Sequence, residues 1–68
     1  MGMVSAHDQI KAAADRAGYI AGCLLKAGLA DASGDGTKAL DNLTSAHLAA
    51  LGLIEAIARA KADIVGVK

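Results

Sequence analysis

One short run constrains this chain more than any other feature: Asp31-Ala32-Ser33-Gly34-Asp35-Gly36, where the turn-forming and helix-breaking residues gather. Proline is absent from all 68 residues. No comparable breaker interrupts either flank, so the run divides the chain into two halves of similar length, each able to form one continuous helix. The predicted fold is all-α: a helix over about 5–29, a loop over about 30–37 and a helix over about 38–64, closed as a two-helix antiparallel hairpin in one domain.

The first half opens on Ser5 with Asp8 three residues later, a capping-box-like start in which Asp stands for the usual Glu. Ile10, Ala13, Ala17, Ile20, Leu24 and Ala27 then recur at alternating spacings of three and four, which places them on one thin face. Lys11, Asp15 and Lys26 lie opposite, together with Gly18 and Gly22. Those two glycines have the small-xxx-small spacing that lets helix backbones approach closely. They read equally well as tolerated helix residues, each costing up to about 1 kcal/mol.

The second half begins with Thr37 as a candidate N-cap and Asp41 near the positive end of the helix dipole. Leu43, Ala46, Ala50, Leu53, Ile57, Ala60 and Ile64 keep the three-four spacing, and Leu40, Leu51 and Ile54 widen the stripe. Only a narrow polar strip of Asn42, Ser45, Glu55, Arg59 and Asp63 is left, in which Glu55 and Arg59 form an i,i+4 pair in the favourable order. One neighbouring helix cannot cover an apolar arc this wide.

That arc sets up a stability argument. Alanine supplies much of the 54% hydrophobic content, and an alanine buries little area. Small domains compensate with disulfides, metals or association. A lone Cys23 cannot close an intrachain disulfide and no ligand cluster is visible, so self-association is the route left. The expected assembly is a homo-oligomer, most simply a dimer of hairpins forming a four-helix bundle, with an interface of Leu40, Leu43, Ala46, Ala50, Leu53, Ile54, Ile57 and Ile64.

Composition weighs against several function classes. Seven basic and seven acidic residues give a formal charge of zero, spread along the chain, so attraction to phosphate backbones is weak. Tyr19 is the single aromatic residue, leaving almost nothing on which nucleobases could stack. Nucleic acid is therefore not an expected partner. The longest uncharged stretch, Asn42 to Ile54, is too short and too polar to span a bilayer, so no membrane role is expected. No basic region followed by an apolar core opens the chain, and the expected location is cytoplasmic. Gly2 resembles a myristoylation start, but Ala6 stands where Ser or Thr is needed. With Met3 following, Met1 and Gly2 read as two residues added ahead of a natural start.

The breaker run also carries the one candidate for ion chemistry. Asp31, Ser33, Asp35 and Gly36 fall at positions 1, 3, 5 and 6 of a calcium loop flanked by helices. Lys38 then occupies an aliphatic position, and Asn42 stands where a bidentate Glu should close the cage. The alternative is an ordinary polar, glycine-bent connection. His7 and His47 lack partners at zinc-ligand spacing, and His47 at the edge of the stripe reads as a partly buried histidine. Cys23, among Ile20, Leu24 and Leu25, reads as inert packing. No nucleophile-base arrangement or phosphate-binding loop can be assembled, so neither enzymatic activity nor a cofactor is expected.

Ala39-Leu40-Asp41, Leu43, Ser45-Ala46 and Leu48-Ala49 together resemble the second helix of small bacteriophage quorum-sensing anti-activator proteins. The resemblance covers about a third of the chain. It implies a dimeric helical hairpin that binds a LuxR-type transcription factor and, in one branch, a pilus-assembly ATPase. This chain differs in having no tryptophan and a glycine-rich loop. Phage hairpins that sequester cyclic nucleotides are a poorer match, because aromatic residues to clamp a base are nearly absent.

The leading functional expectation is a small protein-binding regulator or inhibitor, acting as a homodimeric hairpin on a larger protein, with Tyr19 and Leu48 as contact points. The alternatives are a small-ligand or calcium module on Asp31, Ser33 and Asp35, and a structural assembly subunit.

Overall fold

In the computed structural model, which describes residues 6–66, almost every residue belongs to one of two helices: α1, Ala6–Ala32, and α2, Gly36–Gly66. They run antiparallel through a link of Ser33, Gly34 and Asp35, giving an all-α hairpin of 53 × 18 × 14 Å. Both helices reach further into the connection than the composition of the breaker run predicts. Met1, Gly2, Met3 and Ser5, the last being half of the expected capping box, lie outside the described residues.

The link is short because its few groups each serve a helix end. The Asp35 N–H donates to the Ala30 carbonyl at 2.8 Å and the Gly34 N–H to the Asp31 carbonyl at 3.0 Å, the paired bonds of a Schellman termination. Gly34 takes φ of +81°, a left-handed conformation that costs a side-chain-bearing residue roughly 1 kcal/mol or more. The Lys38 N–H donates to Asp35 Oδ1 at 3.0 Å, which makes Asp35 the N-cap of α2 in place of the expected Thr37. Asp35 therefore finishes one helix and starts the next.

The two helices close on small side chains. Ala13, Cys23, Ala27 and Ala30 of α1 and Ala39, Ala46, Ala49 and Ala60 of α2 are the buried residues. Ile20, Leu53 and Ala56 join them half-buried. On α2, Ala39, Ala46, Leu53 and Ala60 are spaced by seven, with Asn42, Ala49 and Ala56 between them, which is the 3.5-residue seam of two helices packed along their length.

Each stripe read from the sequence is thereby split. On α1, Ala13, Ile20 and Ala27 turn into the seam, while Ile10, Ala17 and Leu24 stay exposed. On α2, Ala46, Leu53 and Ala60 turn in, while Leu43, Ile57 and Ile64 stay out.

Two contacts fix the register. Near the open end, Gln9 Nε2 donates to Asp63 Oδ2 at 2.6 Å. Further along, the Arg16 guanidinium lies over Gly52, its Nη1 3.0 Å from where a Cβ would stand.

Candidate functional site

With the seam occupied mostly by alanines, most of the large aliphatic side chains are left on the surface, and helical geometry gathers all of these but Leu25, Leu29 and Leu48 on one side. At about 100° per residue, Leu40, Leu43, Leu51, Ile54, Ile57, Ile64 and Val65 form a band beside the α2 seam. Ile10, Ala14, Ala17, Ala21, Leu24 and Gly28 form the matching band on α1. Because the helices are antiparallel, both bands flank the seam on the same side and merge into one apolar face. Ile54 there is 65% exposed and Leu40 63%, well above what a settled core position shows. His47 and Lys61, both exposed, are the polar side chains set within this face.

The opposite side is different in kind. Three open grooves run along it: one lined by Lys26, Leu29, Ala30, Ser33, Lys38 and Asn42; one by Ala12, Asp15, Arg16, Tyr19 and Ala49; one by Asp8, Gln9, Ala12, Ala56 and Arg59. These linings place Asp8, Ala12, Asp15, Tyr19 and Lys26 of α1 beside Lys38, Asn42, Ala49, Ala56 and Arg59 of α2. Both signs of charge alternate across this polar face. Glu55 and Arg59 make the expected i,i+4 pair, at 3.8 Å and with both side chains 69% exposed.

The interface residues read from the sequence fall in two places. Leu40, Leu43, Ile54, Ile57 and Ile64 lie on the apolar face, exposed. Ala46 is buried against α1, and Ala50 and Leu53 are half-buried, so these three contribute chiefly to closing the hairpin itself. Sequence periodicity missed the face carried by α1, where Ile10 and Leu24 are about half exposed. The signal was present in the seven-residue spacing of Ile10, Ala17 and Leu24 within the stripe.

Tyr19 and Leu48, read as contact points for a partner, are exposed at 58% and 64%. Both lie away from the apolar face: Tyr19 borders the groove of Asp15 and Arg16, and Leu48 stands on the outer edge of α2. His47 differs from its expected half-burial. It is exposed because the stripe edge it occupies has no helix over it.

The calcium-loop reading of Asp31, Ser33 and Asp35 is corrected by the backbone. A twelve-residue loop would have to run through positions that are helical, Asp31 and Ala32 at one end and Gly36 to Asn42 at the other. The Ser33 hydroxyl is held by the Leu29 and Ala30 carbonyls at 3.0 and 3.1 Å, and Asp35 Oδ1 is the cap of α2. Among the described residues, no group of three or more His, Cys, Asp or Glu side chains is placed to hold a metal ion. Asn42, at the cage-closing position, instead donates to the Lys38 carbonyl at 3.0 Å.

Cys23 is a free thiol, 7% exposed, in the alanine seam. Gly18 and Gly22 have open space where a Cβ would stand, so their close spacing brings no helix against them within the hairpin. Among the described residues, no helix is long and apolar enough to cross a membrane.

Comparison with known proteins adds no homologue to this picture: the chain matches no family model, no curated protein and no solved structure.

Proposed function

We propose that this protein is a non-catalytic, protein-binding regulator of the cytoplasm that works as a homodimer of hairpins, joined through the apolar face and presenting the polar face to a larger protein. One observation carries the reading: most of the large aliphatic side chains, Leu25, Leu29 and Leu48 excepted, are exposed together on one side, while the buried core among the described residues holds nothing bulkier than Cys23. The exposed area of the chain is 5030 Å² for 6.7 kDa. A compact monomer of that mass exposes about 3,900 Å². The excess of about 1,100 Å² is comparable to the roughly 800 Å² that each partner contributes to a standard interface.

The polar face supports the second half of the reading. Tyr19 stands exposed beside Asp15 and Arg16, an aromatic ring flanked by both charges, which is the composition that anchors protein contacts. The residues of Ala39 to Ala49 that resemble phage anti-activators suggest a transcription regulator as the class of target.

The test is capture from a bacterial lysate by immobilised wild type and by a Tyr19→Asp/Leu48→Asp variant of equal helicity. A protein retained by the first and released by the second supports the reading. Equal retention, or none by either, overturns the target-binding half.

A further inference from the structure

Resting on the proposed self-association, we infer that the occupant of the apolar face is a second copy docked antiparallel, with the two turns at opposite ends of the bundle. The contacts of Gln9 with Asp63 and of Arg16 with Gly52 bracket the register, and place Ile10 within about one helical turn of the height of Lys61, Leu24 of His47, and Gly28 of Leu43. To the same tolerance Ala17 stands beside Ile54, and Ala21 beside Leu51.

Two-fold symmetry allows this face to meet itself in two ways. If the axis runs along the bundle, every level meets its own copy. The two Lys61 ammonium groups then share one layer, the two His47 rings another, and the thin Gly28 level is doubled as well. Like charges brought together in a drying interface are unfavourable.

If the axis runs across the bundle, unlike levels meet. The Ile10 and Lys61 level of one copy lies on the Gly28 and Leu43 level of the other, so the bulkiest pair meets the emptiest. Gly28 has open space where a Cβ would stand, which receives that bulk. The Leu24 and His47 level meets Ala14 and Ile57, and at the centre Ala17 and Ile54 meet Ala21 and Leu51. On both helices the apolar band is centred at the same height to within about one helical turn, as one crossing axis requires.

Charge agrees with volume. Each Lys61 is moved from its twin to the turn end of the partner, where the exposed Asp31 carboxylate is negative. Asp31 is exposed and lies on the flank between the seam and the apolar band, on the side the partner covers.

The deciding measurement is a distance between nitroxide labels on Lys38→Cys in a Cys23→Ala background, taken by pulsed electron spin resonance. Lys38 lies near the turn on the polar side, clear of the proposed contact. Antiparallel docking puts the two labels about 43 Å apart along the bundle at 1.5 Å per residue. Parallel docking puts them level, about 25 Å apart across two layers of helices spaced 8–10 Å. A dimer with the short distance overturns the orientation and leaves self-association standing. A monomer by sedimentation of the unaltered protein overturns self-association itself.

A second pair of variants needs no label. Lys61→Glu should weaken the dimer about tenfold, and adding Asp31→Lys should recover most of that loss. Tightening by Lys61→Glu alone, or no recovery in the double variant, overturns the antiparallel register.

Discussion

The two faces of the hairpin are built from the same two helices and share one seam, yet they follow opposite rules. On one side Leu43, Leu51, Ile54 and Ile57 stand in the open, interrupted by His47 and Lys61. On the other, Tyr19 and short alanines lie among Asp15, Arg16, Lys26, Glu55 and Arg59. A surface that needed only solubility would distribute its aliphatic residues more evenly. The contrast teaches that small side chains close this hairpin: alanines bring the helices together, and most of the leucines and isoleucines are left outside the seam.

The sharpest way to break that contrast is a charge at the middle of the apolar face. Ile54→Asp should raise the dimer dissociation constant at least 100-fold, since a carboxylate without a partner is costly in a buried interface. Thr44→Asp, at the outer edge of the same helix, should change it by less than threefold. Sedimentation equilibrium of the two variants checks this, and equal constants would remove the distinction between face and edge.

The seam is tested by size. Ala46 is 5% exposed between the helices, and Ala46→Leu adds three carbons where the backbones lie close. Overpacking of this kind costs about 1–3 kcal/mol, which for a chain of this length lowers the melting temperature by roughly 4–8 °C per kcal/mol. Leu43→Ala, three residues away but on the open face, should leave the hairpin's own helicity intact at concentrations where the protein is monomeric. Circular dichroism melts over a dilution series separate the two effects.

The turn joins both faces and belongs to neither, so its variants act on the hairpin alone. Asp35→Ala removes the cap that binds the Lys38 N–H and should cost about 1 kcal/mol. Gly34→Ala should cost about the same, because φ of +81° disfavours a Cβ. Each loss should appear in thermal melts with the dimer affinity of the folded protein unchanged.

How far the sequence reaches is visible in these same residues. The hairpin was legible because a chain without proline has one breaker run and three-four spacing on both sides of it. The helix ends were less legible. Asp31 and Gly36 look like loop residues by type, but the structure needs only Ser33, Gly34 and Asp35 to turn the chain, since the Schellman bonds and the Asp35 cap overlap. The division of the faces was hidden for a different reason. Ala39, Ala46, Leu53 and Ala60 form one seven-residue series on α2, and Leu43, Ile57 and Ile64 keep a second seven-residue phase beside it. Both satisfy helical periodicity, so periodicity alone merges them into one stripe. Side-chain size separates them, because alanine lets the helices approach along the first series and leaves the second exposed. The Asp31, Ser33, Asp35 spacing matched an ion loop in one dimension only. Helix continues through the positions that would have had to wrap the ion.

The smallest expected effect lies on the polar face and tests whether its ordered charges matter to folding. Glu55 and Arg59 meet at 3.8 Å with 69% of each side chain exposed, so water and salt screen the pair and fixing two long side chains offsets much of the attraction. Glu55→Ala removes the pair and also places the best helix former at that position. The loss of about 0.3–0.5 kcal/mol from the pair and the gain in propensity should nearly cancel, leaving a melting temperature within about 2 °C of the unaltered protein. A melt in 0.05 M and 1 M sodium chloride shows whether even that small term is electrostatic. If Glu55→Ala instead lowered the melting temperature by more than about 5 °C or loosened the dimer, the polar face would have a structural part in the assembly, and the division of labour between the two faces would fail.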